Sequence, residues 1–360
     1  MKLLIQGFLT TTVIYGMITL LHLIIPARWV KGYVRHNQTG EKLKYRLNGL
    51  SVLIVSIIIW FALGYFKIIP FDWLYQVRYF SLATASLAGL IFTLFSVLPF
   101  PSTEKNLLAD LFFGRLDNPQ FKKGLIDAKM WLYLVGAVML ELNTLSFASY
   151  HYMKFGTESS TGIFLCAAFI SYFVFDYLTF EEVHLYTYDF FAEKVGFKLG
   201  WGCLTFYPFF YSIGLFTTAH LPGPDFPLWK IVLFSLIFLS GWTLARGANM
   251  QKFFFKTRPD KHFLGIEPVS LSDGKASLLV SGFWGASRHI NYLGEVLMAT
   301  GITLSVGHPS ILWPWLYPLY YVLLLGTRQI ADDKRCSKKY GGLWDEYEEK
   351  VKYRIIPFLY

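Results

Sequence analysis

Nine stretches of the sequence, at 6–26, 47–66, 78–100, 131–152, 162–180, 196–220, 228–246, 290–306 and 309–326, are apolar over nearly their whole length. Each approaches the roughly 20 residues that an α-helix needs to cross the hydrocarbon core of a bilayer. A water-soluble chain keeps its apolar residues in shorter runs that alternate with polar faces, so blocks of this length leave few folds open. Backbone in lipid must satisfy its own hydrogen bonds, and the strands of a membrane barrel alternate polar with apolar. The expected class is therefore all-α, a polytopic helical membrane protein, with nine spans read from the blocks.

Composition agrees, with 54% hydrophobic, 19% aromatic and only 16% charged residues, against roughly 25% charged in an ordinary soluble domain. The net charge of +9 suits nucleic acid only if the cations form one surface, whereas here they lie in loops between apolar blocks. Loops 27–46, 101–130 and 247–275 and the tail 327–360 hold most of the Lys and Arg, while 221–229 carries only Asp225. The positive-inside rule puts these basic segments, and the C-terminus with them, on the cytoplasmic side. A bacterial inner membrane and the endoplasmic reticulum fit equally.

The first block is followed by the basic stretch Arg28 to Arg46 with no small-residue cleavage site between, so it reads as a span and not as a removable signal. Cys166, Cys203 and Cys336 have neither paired nor metal-type spacing. No disulfide framework and no metal site is expected, and inert buried thiols account for them. No repeat, low-complexity segment or flexible linker divides the chain. It reads as one membrane-embedded domain, 1–360, with a largely helical scaffold over 1–245 and a polar half over 246–360.

That polar half contains three informative stretches. In RGANMQKFFFK, 246–256, a continuing helix aligns Asn249, Lys252 and Lys256 on one face, with Arg246 nearby. A snorkelling basic cap and a phosphate-type anion site are both open. In SGFWGASRHINYLGE, 281–295, Trp284, Arg288, His289, Asn291 and Tyr292 are flanked by glycines. Groups this polar among spans are costly unless they face a cavity, which makes them a functional-site hypothesis. The third stretch starts with Arg328, Asp332 and Asp333 and continues to Tyr340, Trp344 and Tyr347 at near-helical spacing. Its aromatic positions suit packing on the membrane domain, a solvated amphipathic helix, or stacking on a flat cofactor.

Together these stretches resemble the sterol reductase family, which includes the delta-14 and delta-7 sterol reductases, the fungal delta-24(28) reductase and the membrane domain of the lamin B receptor. The similarity extends to GEKLKYRLNGL at 40–50, FFGRLDNP at 112–119, IDAK at 126–129, DYLTFEEVHLYTYD at 176–189 and GFKLGWG at 196–202. It is collinear and covers nearly the whole chain. The resemblance implies about ten transmembrane helices, NADPH held near the cytoplasmic face by the C-terminal half, and a sterol substrate entering from the membrane lipid. No nucleic acid and no obligate protein partner is implied. It also places Lys252 and Lys256 at the adenosine phosphate end of the cofactor, with Trp284, Arg288, His289, Asn291 and Tyr292 around its middle. Arg328, Asp332 and Tyr347 fall nearer the nicotinamide. Lys256 stands where relatives often have Arg, which keeps the charge but weakens bidentate phosphate binding.

An isolated ring alkene is not polarised, so it must be protonated before a hydride can add. The acid has to sit beside apolar surroundings, where desolvation keeps a carboxyl protonated. Asp332 with a tyrosine is the preferred donor, and Glu181 is the reserve, with Glu182 beside it. Tyr172, Tyr177 and Tyr347 are candidate proton relays. The paired Glu181 and Glu182 resemble the delta-14 branch and the 281–295 stretch the delta-7 branch, which orders the expectation as delta-14 before delta-7 before side-chain reduction. Two rival readings use the same residues. One is an S-adenosylmethionine-dependent membrane methyltransferase, and the other is a sterol-binding protein without turnover.

Overall fold

The computed structural model describes residues 2–36 and 39–360. It is predominantly helical, with α1 Lys2–Ile24, α2 Gly49–Tyr65, α3 Arg78–Val97, α4 Ala128–Phe155, α5 Thr161–Thr179, α6 Leu228–Thr257, α7 Ile290–Ser305, α8 Leu312–Tyr340 and α9 Gly342–Lys350 as its main elements. Three two-stranded antiparallel sheets decorate the loops: β1 Arg28–Arg35 with β2 Lys42–Leu47, β3 Gln120–Phe121 with β4 Ile126–Asp127, and β5 Ser270–Ser272 with β6 Ser277–Leu279. The described residues form two compact units, Met1–Phe226 and Pro227–Tyr360. Position 245/246, where the sequence turns polar, lies inside the continuous helix α6.

Among the described residues five helices are long and apolar enough to cross a membrane, at Leu3–Ile24, Arg78–Val97, Ala128–Glu158, Thr161–Thr179 and Leu228–Thr257. The other apolar blocks are helical too, but each departs from a full uniform span. Helix α2 has 17 residues and α7 has 16. The first half of α8 is interrupted by Pro318, and its second half is charged. Block 196–220 is not one helix. It runs as Phe197–Trp201, a π-helical turn at Gly202–Phe206, then Tyr207–Phe210 and Ile213–Thr218.

The break has a definite cause. Pro208 has no N–H, so a carbonyl one turn earlier loses its donor. Inside a bilayer that oxygen needs another donor, and the Tyr15 hydroxyl on α1 supplies it to Leu204. The same solution recurs in α8. There Pro318 leaves the Pro314 carbonyl unbonded, and the Thr303 hydroxyl on α7 donates to it at 3.0 Å. Thr303→Val keeps the shape and removes the donor, so thermal unfolding in detergent should show a loss of about 1 kcal/mol. An unchanged unfolding temperature would remove this role from Thr303.

Helix α6 continues to Thr257, so the expected loop 247–275 begins as about three further helical turns before the β5–β6 hairpin. In the second unit α6 and α7 pack backbone to backbone. A Cβ added at Gly241 would stand 2.6 Å from the Gly294 carbonyl and 2.6 Å from the Met298 nitrogen. Close helix approach through small residues is the favoured solution where no hydrophobic effect drives helices together. It fixes the position of Lys252, two turns beyond Ala245, relative to the 284–292 stretch that leads into α7.

Candidate functional site

In the second unit, α6, the 281–289 turn, α8 and α9 bring most of the expected cofactor residues together. The Lys252 Nζ lies 5.3 Å from the centre of the Trp284 ring. Trp284 is held there by its indole N–H, which donates to the Ala248 carbonyl at 2.8 Å. Gln251, buried one residue before Lys252, accepts from the Phe283 N–H at 3.0 Å and donates to the Ser281 carbonyl at 3.1 Å. The ring and the lysine are therefore positioned by one helix. Lys252 interacts electrostatically with Asp332, Cys336, Arg335 and Lys339, and Lys256 with Lys252 and Lys339. Lys256 is exposed and its Nζ donates to the Ser277 carbonyl at 3.3 Å. The result is a cluster of four cations with one carboxylate, a setting that suits a phosphate-bearing ligand.

Adjacent acids on α8 point to different partners. Asp332 faces Arg335 at 4.0 Å and the Lys252 group. Asp333 accepts from His289 Nε2 at 3.1 Å and Gln329 Nε2 at 2.5 Å, with Arg288 at 3.9 Å and Arg354 at 3.8 Å. Burial pushes the Asp333 carboxyl up, but the His289 bond and charge, with Arg288 and Gln329, outweigh it and hold the group below its ordinary range. Asp333 is thus the hub that orients Arg288 and His289. Arg288 also donates to Glu348 on α9 at 2.6 Å, and the His289 ring stacks on Tyr292 at 4.9 Å. The backbones of Arg288 and His289 donate to the carbonyls of Tyr353 and Arg354 at 2.9 and 2.8 Å, tying the turn to the chain beyond α9.

Two buried atoms here meet no partner among the described residues, Asn291 Oδ1 and Arg288 Nε. Buried polar atoms are nearly always hydrogen-bonded, so both atoms are open to a water or a ligand. Arg328 projects from α8 one turn before Asp332. Tyr347 is placed differently from a stacking platform. It is 4% exposed, packed with Trp344 and Val351 against Leu271, Leu278 and Tyr340, and its hydroxyl donates to the Trp284 carbonyl at 3.4 Å. Burial pushes its phenol up. The Cys336 thiol is pushed up to about 12 by burial and by Asp332, so it stays uncharged at neutral pH.

The first unit holds the other candidates. Tyr177 stacks on His184 at 3.8 Å within an aromatic group that includes Tyr133, Phe173 and Tyr207. Tyr172, on the same helix, is 40% exposed. Glu181 is buried and accepts from the Gly49 N–H at 3.0 Å, at the start of α2. Its carboxyl is pushed up to about 7 by burial, against the Gly49 N–H and the Arg28 charge. Glu182 pairs with Arg28 at 2.7 Å near the surface. A further acid, Glu141, is 1% exposed in the middle of α4 and accepts from the Ser171 hydroxyl at 2.8 Å. It is a single charge inside an apolar block, the pattern that marks costly and purposeful intramembrane groups. Among the described residues no group of acids, histidines and cysteines has the arrangement of a metal site.

The sequence pattern of the Ergosterol biosynthesis ERG4/ERG24 family matches residues 5–360. The chain belongs to that family. The Delta(14)-sterol reductase of Arabidopsis thaliana is 33% identical over 349 residues, covering 94% of this chain and 91% of the relative. The Delta(14)-sterol reductase of Methylotuvimicrobium alcaliphilum is 31% identical over 331 residues, covering 89% and 76%. The 7-dehydrocholesterol reductase of Xenopus laevis is 29% identical over 367 residues, covering 92% and 75%.

Several motifs shared with the ERG4/ERG24 family have architectural roles in the first unit. In the 40–50 motif, Asn48 donates to the carbonyls of His22 and Ile25 at 3.0 Å each, and its Oδ1 accepts from the His22 Nδ1–H at 2.6 Å. In FFGRLDNP, Arg115 pairs with buried Asp110 at 2.7 Å, which holds that carboxyl well below its usual range. In IDAK, Asp127 caps α4 by accepting from the Met130 N–H at 3.0 Å. Lys129 is fully buried and donates to the carbonyls of Asp189, Phe190 and Glu193 at 2.9, 2.9 and 2.6 Å.

Proposed function

We propose that this protein is an NADPH-dependent sterol reductase that saturates the delta-14 double bond. The relatives named Delta(14)-sterol reductase support the bond, and the 7-dehydrocholesterol reductase makes delta-7 the next choice. The observation that carries the cofactor reading is the cluster of Lys252, Lys256, Arg335 and Lys339, with Lys252 Nζ set 5.3 Å from the centre of the Trp284 ring. The residues present fit a phosphorylated dinucleotide. The lysines suit phosphate, Asn291 Oδ1 suits an amide or hydroxyl donor, and the Trp284 indole gives a rigid wall.

When bound, NADPH supplies the hydride. The protein's own task is the proton and the exclusion of water. Asp332 is the proposed donor to one alkene carbon, leaving a tertiary cation at the other to take the hydride, but it faces Arg335 and the Lys252 group and not the apolar surroundings expected of the acid from the sequence. Proton and hydride together convert C=C to CH–CH, and Asp332 is reprotonated from the cytoplasmic side. Asp333, bonded to His289 and Gln329, holds the 288–292 turn in place, and buried Tyr347 supports Trp284 through its carbonyl. Glu181, at about 7, is the reserve donor, with Tyr177 as its relay in the first unit. The sterol reaches the site from the surrounding lipid, and the C-terminal segment faces the cytoplasm.

The reading is tested with purified protein in detergent, by following NADPH oxidation on addition of a delta-14 sterol. A methyltransferase or a silent sterol-binding protein gives no oxidation. The double variant Lys252→Ala, Lys256→Ala should raise the KM for NADPH by about tenfold or more, the worth of one lost charge-assisted bond, with a smaller change for NADH. Equal effects on both nucleotides would withdraw the phosphate role from these lysines.

A further inference from the structure

We propose that the exposed face of the β1–β2 hairpin, together with the β3–β4 turn, is a binding surface for anionic phospholipid headgroups. The hairpin register sets Lys31 directly opposite Lys44 and Arg35 opposite Lys42. Like charges facing each other across a ladder destabilise it, and all four side chains are exposed. Trp29 lies two residues before Lys31, hence on the same side of the strand, and is 48% exposed.

The β3–β4 turn brings two more cations to this edge in an unfavourable conformation. Lys122 and Lys123 have φ of 48° and 59°, followed by Gly124 at 89°. Side chains rarely adopt this left-handed region, and turns that need it normally use Asn and Gly. Here two exposed lysines occupy it. The turn is packed against the hairpin, because Gln120 donates to the Lys44 carbonyl at 3.0 Å and a Cβ on Gly124 would meet that oxygen at 2.9 Å and the Trp29 ring at 3.6 Å. Lys44, Lys122 and Lys123 therefore share one face, with Phe121 58% exposed beside them.

Among the described residues the acids of the neighbourhood offset only part of this charge. Glu182 pairs with Arg28, and Asp127 is buried as the cap of α4. Glu41 and Asp117 are exposed, two carboxylates against the six cations Lys31, Arg35, Lys42, Lys44, Lys122 and Lys123. The hairpin leaves the end of α1 and returns to the start of α2, so its base is at the membrane surface. Lys31 and Lys44 are three residues from the Arg28–Leu47 pair at that base, about 10 Å along the ladder. That is close to the Debye length of about 8 Å at physiological salt, so a headgroup layer at the base of the hairpin acts on these cations. Exposed Trp and Phe beside lysines favour a lipid surface over a soluble acidic protein, since such rings settle at headgroup depth.

The test is hydrogen exchange of the full chain in nanodiscs of phosphatidylcholine alone and of phosphatidylcholine enriched in phosphatidylglycerol. Exchange in 28–35, 42–47 and 120–127 should slow several-fold in the anionic discs, and high salt should reverse it. A variant with Lys31→Gln, Lys44→Gln, Lys122→Asn and Lys123→Gly should lose this protection while its unfolding temperature holds or rises, because Asn and Gly suit the left-handed turn. Equal exchange of the native protein in both discs overturns the proposal, as does protection that survives in the variant. Protection by soluble polyglutamate but not by phosphatidylglycerol assigns the face to an acidic protein instead, and overturns it too.

Discussion

Asp332→Asn is expected to lower kcat for sterol reduction by about 100-fold or more, the ordinary contribution of a positioned general acid. The substitution keeps the size and the helix and removes the proton. Asp332 stands between Arg335 and the Lys252 group, so a change in NADPH binding is expected as well, and single-turnover rates at saturating NADPH separate the two effects. Glu181→Gln is the companion measurement. Glu181 caps the start of α2 from outside the second unit's cluster, and its replacement should cost less than tenfold in kcat. Full turnover in both variants would dismiss both carboxyls as donors. A large loss only in Glu181→Gln would move the acid to the first unit, with Tyr177 and His184 as its neighbours.

Lys129→Met should cost about 3 kcal/mol or more of stability, because three buried carbonyls lose their donor at once. Lys129 has 0% exposure and all three of its N–H bonds go to the 189–193 backbone. Methionine fills a similar volume without supplying a donor, so the loss is one of hydrogen bonding and not of packing. Unfolding in detergent should shift down by about 5 °C or more. An unchanged transition would mean that water reaches those carbonyls and that the lysine is not a staple.

The spans were legible because the bilayer imposes one length and one composition on them. The break at 202–206 was not, since it depends on Pro208 and on Tyr15 from a different helix. In the second unit the 3.6-residue period put Lys252 and Lys256 near each other, as the structure has them. It did not separate Asp332 from Asp333, whose partners lie on α6 and on the 288–289 turn and are set by tertiary packing. Asp333, Gln329 and Glu348 were missed for that reason, although Gln329 and Asp333 stand four apart on one helix. Tyr347 had the spacing of a stacking ring, yet the β5–β6 hairpin covers it. Lys129 and Arg115 sit in conspicuous motifs, but their main partners are backbone carbonyls, and a carbonyl leaves no trace in a residue pattern.

The Tyr15 to Leu204 bond also bears on how the protein is made. Its two ends are 189 residues apart in the chain. The hydroxyl enters the membrane early in synthesis and waits, while the carbonyl arrives with a segment that cannot complete its own helix. Until they meet, hydrocarbon surrounds an unmet donor and an unmet acceptor. That bond is thus a contact only the assembled first unit can make, joining α1 to the 197–218 segment across most of the unit's length in sequence.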